Sequence, residues 1–177
     1  GDIHSVVIVR ERKIVYEHYY NGHQRDDLQA LDAVTKSVVS ALLGAVIRRD
    51  TSISVNDLLI DVLPQYDHLF DNVPQKDAIR VRDILSNSSG FWWEEWDVPY
   101  SDPSNDANAM TRNEDWTEWV LAKPMIREPG FQFDYNSGNA VLMGSVLEHY
   151  TGTSVEETAR QLLFDPLGIN TWQWDKT

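Results

Sequence analysis

The chain has 177 residues, 15 basic against 28 acidic side chains and a formal net charge of −13. It holds no cysteine, which excludes a disulfide scaffold, a thiolate zinc site and a cysteine nucleophile. A polyanion such as DNA is repelled by this charge, no basic cluster offsets it, and no apolar run reaches the roughly 20 residues of a membrane span.

In chain order, Val6 to Arg10 and Lys13 to Tyr19 are β-rich runs joined at Glu11-Arg12, the pattern of an antiparallel hairpin over 5–19. Asp32 to Arg49 is predicted as a helix apolar nearly all round, and hence buried, with Arg48 and Arg49 suited to its C-terminus. Ser54 to Leu63 reads as a short helix capped by Ser54, and Val81 to Leu85 as another that runs into the turn Ser86 to Gly90. Residues 91–112 form a long polar and aromatic loop with Trp92, Trp93 and Trp96, and such a loop is usually functional or disordered. Asn113 is a candidate cap for a helix to Leu121. Gly138 to Tyr150 is helical, and Ser154 to Glu157 is a capping box that opens a last helix ending before Asp165.

Generic catalytic motifs are mostly absent, and the five histidines show no ligand spacing. Two features stand out. Lys36 sits in an otherwise apolar helix, where desolvation favours a neutral amine able to accept a proton from a hydroxyl. The plainer reading is a lysine that snorkels to solvent. Tyr135 precedes a tight polar turn that starts a helix, an arrangement that can aim a phenol into a cleft, with Lys36 as the cation that would make it more acidic. The plainer reading is an ordinary buried tyrosine beside a capping asparagine.

Several segments in order resemble the serine β-lactamase and penicillin-binding-protein superfamily, in its class C-like branch of esterases, D-aminopeptidases and 6-aminohexanoate-dimer hydrolases. Ser5 to Glu17 resembles that family's first hairpin. Val34-Thr-Lys-Ser-Val-Val-Ser40 resembles the segment around its S-x-x-K. Arg82-Asp-Ile-Leu-Ser-Asn-Ser-Ser-Gly90 resembles "RDLLTHTSG", Phe133-Asp-Tyr-Asn-Ser-Gly138 resembles the Y-x-N or Y-x-S motif, and Leu163-Phe-Asp-Pro-Leu-Gly-Ile169 resembles "LFxPLGI". The resemblance implies an α/β (α+β) fold of β-lactamase/transpeptidase type, with the helical part and the first hairpin of an antiparallel sheet. It implies acyl transfer on an amide, ester or lactam carbonyl of a small-molecule or peptide-like substrate, with no metal or organic cofactor. Lys36 would be the general base, Tyr135 the acid/base, and Ser137 would hydrogen-bond Lys36 or the substrate. Trp92, Trp93 and Trp96 would form an apolar wall of the cleft, or else a plain hydrophobic lid or core.

Two departures matter. The residue three before Lys36 is Ala33, where the family has its nucleophilic serine, so the chain as written is expected to form no acyl-enzyme. Either a serine was replaced or the protein is a natural pseudoenzyme, a binding module using the same cleft; a lysine kept buried favours the replacement. Thr35, Ser37 and Ser40 lie nearby but on other faces or further from the helix N-terminus. The family's third motif, a Lys/His-x-Gly strand, should follow well after Tyr135. Asp175-Lys176-Thr177 resembles its start but comes too soon. Residues 1–177 are therefore expected to be the N-terminal part of one larger domain, with the remaining strands supplied further along or by a second chain. The family includes exported and cytoplasmic members; a periplasmic or secreted location is slightly favoured.

Overall fold

A computed structural model describes residues 3–71 and 73–175. The third-motif reading at Lys176 and Thr177 lies outside them.

β1 (Ser5–Arg10) and β2 (Lys13–Tyr19) form a two-stranded antiparallel sheet with a register shift between Ile8 and Val9. Glu11 and Arg12 both have positive φ, 51° and 64°, the left-handed pair that matches a two-residue turn to the twist of its strands. Val7, Ile8, Val9, Ile14 and Val15 are all exposed, so neither face of this sheet packs on the rest of the described residues. A hairpin alone is marginal in water.

The remainder is helical. α1 (Thr35–Arg49) follows a single 3-10 turn at Asp32–Val34, where Asp32 holds a positive φ of 44°. Short helices α2 (Leu59–Val62), α3 (Pro74–Asp77) and α4 (Val81–Leu85) follow, with a 3-10 stretch at Pro64–Leu69. α5 (Asp106–Met110), α6 (Trp116–Leu121) and α7 (Ser137–Thr151) come next. α8 (Val155–Ala159) continues through a π turn into α9 (Asp165–Leu167). The core lies where α1, α4 and α6 meet α7. Leu42 and Leu43 of α1 pack there with Ile84, Leu121, Leu142 and Leu147, all at most 1% exposed. Each fully buried leucine contributes roughly 1.5–3 kcal/mol relative to leaving it in water.

Several sequence expectations change. α1 is not buried all round: Val39, Leu42, Leu43 and Val46 face the core, while Val34, Ser37, Ser40, Ala41 and Gly44 are exposed. Hydrophobic content sets which residues can be buried, and only one face of this helix finds α7 as a partner. The Ser54–Leu63 helix shrinks to α2. Ser54 instead closes a turn, its N–H donating to Asp57 Oδ2 at 2.9 Å and its hydroxyl accepting from the Asn56 N–H at 3.1 Å.

The 91–112 loop is neither bare nor disordered. It contains α5, capped by Asn105, whose side-chain oxygen accepts the Ala107 and Asn108 N–H groups. Asp115, not Asn113, caps α6, accepting the Glu118 N–H at 2.8 Å. Ser154 caps α8 as its capping box predicts, and that helix continues past Asp165. Gly152, in the left-handed conformation at φ 66°, ends α7.

Candidate active site

Lys36 lies in the first turn of α1, and Tyr135 lies just before α7, with Asn136 capping that helix through the Asn139 N–H. Because α1 packs along α7, their N-terminal ends converge. The Lys36 Nζ sits 5.3 Å from the centroid of the Tyr135 ring, within cation–π range. A cavity of about 400 Å³ opens here, walled by Lys36, Ser37 and Ser40 from α1, by Asn87, and by Asn136 and Ala140 at the start of α7. Lys36 is half-buried rather than enclosed. Its cost of burial is therefore smaller than the sequence suggests, and so is the weight that cost lends to a replaced serine.

Ala33 occupies the exposed 3-10 turn just ahead of α1, three residues before Lys36, and is not part of the cavity wall. Asn87, in the turn after α4, has a positive φ of 51°, and its Oδ1 accepts from Asn139 Nδ2 at 3.1 Å. The adjoining Gly90 is irreplaceable on steric grounds: at φ 88° a Cβ would stand 2.4 Å from the Arg127 carbonyl oxygen.

The three tryptophans separate. Trp96 is 78% exposed and meets Tyr135 edge-on, with ring centroids 5.6 Å apart. Trp92 is half-exposed. Trp93 is buried, packs edge-on against Trp119 at 5.7 Å, and donates its Nε1–H to Glu95 at 2.6 Å. It belongs to the scaffold of the site, whereas Trp96 presents apolar surface beside Tyr135; none of the three tryptophans walls the cavity itself.

Ser137 is also engaged. Its hydroxyl donates to Glu95 Oε1 at 2.5 Å and its N–H to Glu95 Oε2 at 2.8 Å. Glu95 is 2% exposed and was not singled out from sequence, since a carboxylate in a polar loop reads as solvated. Tyr100 OH also donates to it, at 2.7 Å. Burial pushes its carboxyl up, but the bonds from Ser137, Tyr100 and Trp93 outweigh that and leave it below the ordinary carboxylate value. The same hydrogen bond to Glu95, with burial, pushes the Tyr100 phenol up to about 12, so Tyr100 stays a donor at neutral pH. The loop is fixed further by Asn105, which donates to the carbonyls of Glu95 and Val98, and by the 2.6 Å Lys123–Asp106 ion pair.

A second buried cation, Lys76, is 5% exposed and donates to the Leu121 and Leu69 carbonyls at 2.5 and 3.2 Å. It ties the C-terminus of α6 to the 3-10 stretch and lies away from the cavity wall. Among the described residues no cluster of His, Asp or Glu gathers as a metal site, and no helix is long and apolar enough to cross a membrane.

Known proteins resemble this chain in sequence or share its fold. A curated protein of Salmonella agona described as "Putative D-alanyl-D-alanine carboxypeptidase" is 25% identical over 119 residues, 66% of this chain and 27% of the relative. The chain thus spans about a quarter of the curated relatives it matches. A crystal structure described as a "putative beta-lactamase from Bacteroides dorei DSM 17855" superposes with TM-score 0.71 at 24% identity, over 94% of this chain and 46% of the other. A D-stereospecific amidohydrolase from a Streptomyces species superposes with TM-score 0.67 at 21% identity, over 89% of this chain and 47% of the other. At these identities the structural likeness is one of fold. Residues 4–177 match the family described as Beta-lactamase, and the chain belongs to that family.

Proposed function

We propose that the cleft is built for acyl transfer on an amide, ester or lactam carbonyl, with position 33 as the nucleophile position, Lys36 as general base and Tyr135 as acid/base. The observation that carries this reading is the 5.3 Å approach of Lys36 Nζ to the Tyr135 ring beside a cavity that Lys36 lines. A hydroxyl one helical turn before Lys36 would lie on the same helix face. It would pass its proton to the Lys36–Tyr135 pair as its oxygen bonds the carbonyl carbon, and the pair would return a proton to the departing amine or alkoxide. Alanine has no oxygen to attack with. Position 33 as written therefore forms no acyl-enzyme, whether it was replaced or arose naturally.

Trp96, beside Tyr135, would flank the acyl or leaving group, and the exposed apolar residues of the hairpin suit pairing with further strands, of the same polypeptide or of a second chain. The test is Ala33→Ser in the complete protein. Turnover of a p-nitrophenyl ester and labelling by a fluorophosphonate support the enzyme reading. Silence in both favours the alternative, a non-catalytic module that uses the same cleft.

A further inference from the structure

We propose that Glu95 is a positioning residue that locks the tyrosine turn to the tryptophan loop, so that the placement of the Tyr135 ring against Lys36 is set from a position 40 residues earlier in the chain. This inference rests on the acyl-transfer reading of the site. Glu95 offers two oxygens, and each receives two donors. Oε1 takes the Ser137 hydroxyl and the Tyr100 phenol; Oε2 takes the Ser137 N–H and the Trp93 indole N–H. Two of the four donors belong to Ser137, the first residue of α7 and the second after Tyr135.

A buried carboxylate without partners is costly, so the donors and the acceptor hold one another in a single geometry. Its negative charge also faces the N-terminal end of α7, where the helix dipole favours an anion. The clamp has a steric counterpart. At Gly138 a Cβ would stand 2.7 Å from Val120 Cγ2 and 2.8 Å from Trp93 Cζ3. Trp93, held by Glu95, therefore packs directly against the backbone that follows Ser137. On the other side of the turn, Trp96, the next residue after Glu95, rests its ring against Tyr135. Glu95 thus reaches the phenol from both sides, through Ser137 along the turn and through Trp96 across it, while its own oxygens are fully occupied and free for no substrate. Ser137 is correspondingly a hinge point of the clamp, its hydroxyl committed to Glu95.

The test compares Glu95→Gln, Ser137→Ala and the double variant in the complete protein carrying Ala33→Ser. The carboxamide keeps the shape but surrenders the charge and one acceptor oxygen. A misplacement of about 1 Å in a catalytic group can cost on the order of a hundredfold in rate, so kcat is expected to fall about tenfold or more with KM changed by less than about threefold. Adding Ser137→Ala to Glu95→Gln is expected to cost little more, because both remove one interaction. Full additivity, an unchanged kcat, or a loss that merely tracks a lowered melting temperature overturns the proposal. If Ala33→Ser alone shows no turnover, the acyl-transfer reading falls, and Glu95 is then judged by amide hydrogen exchange in the chain with Ala33. Glu95→Gln is expected to speed exchange across residues 135–139 about tenfold while leaving Leu42 to Val46 unchanged. Equal acceleration in both segments, or none in either, overturns it.

Discussion

The tryptophan loop with its tyrosine turn and the N-terminal hairpin with the exposed face of α1 are opposites in how they are held. The loop has little regular structure, yet Glu95, Asn105 and Asn136 are each at most 2% exposed: Glu95 accepts from Ser137 across 42 residues, Asn105 donates to the Glu95 and Val98 carbonyls, and Asn136 accepts the Asn139 N–H. The hairpin has a backbone ladder interrupted only by the shift between Ile8 and Val9 but leaves Val9, Ile14 and Val15 about 60% exposed. Regular secondary structure therefore does not mark the rigid part of this molecule. Hydrogen-bonded buried polar groups, which restrict motion, gather instead in the tryptophan loop and at the start of α7, although Asn139 Oδ1 beside them is buried without a partner among the described residues.

Substitutions can break or sharpen that contrast. The largest effect is expected in the core that carries both helices of the site: Leu147→Ala should lower unfolding free energy by about 2–5 kcal/mol in a urea titration, as a fully buried leucine leaves a cavity. Gly138→Ala should cost about 1–3 kcal/mol in the same titration, since its Cβ must displace Val120 or Trp93.

Glu95→Gln should act through pH. The folded carboxyl titrates below its ordinary value, so its contribution to stability is present above roughly pH 4 and is lost as pH falls through the lower, folded value. The variant should be less stable at neutral pH and should show a shallower fall in melting temperature on acidification. An unchanged acid slope would mean that Glu95 is not the charged hub its four donors suggest. The smallest effect is expected on the hairpin in residues 1–177 alone, where Ile14→Thr should stay within about 0.5 kcal/mol. A loss comparable to that of Leu147→Ala would show that the hairpin is covered and erase the contrast.

Much of this architecture is legible in the residues. The hairpin, α1, α4, α7 and the Ser154 cap follow from period, β-branching and capping chemistry, which act within a few residues of one another. Lys36 and Tyr135 are legible because an ammonium in an apolar helix and a phenol before a polar turn are each locally unusual. What is not legible depends on distance in the chain. Trp92, Trp93 and Trp96 are alike in composition, and only the packing of Trp119 and Gly138 decides that Trp93 turns inward. Glu95 looks like a surface acid until Ser137, 42 residues on, supplies two of its donors. The exposed side of α1 is missed for the converse reason: its residues are apolar or small enough to be buried, but no partner among the described residues covers them.

The central claim, that position 33 and Lys36 form one nucleophilic unit, is tested most directly by intact-protein mass after incubation with a fluorophosphonate. Ala33→Ser in the complete protein should gain the mass of one probe, while the chain with Ala33 and the double variant Ala33→Ser/Lys36→Ala should gain none. No adduct on Ala33→Ser, or equal adducts on all three, would contradict the account.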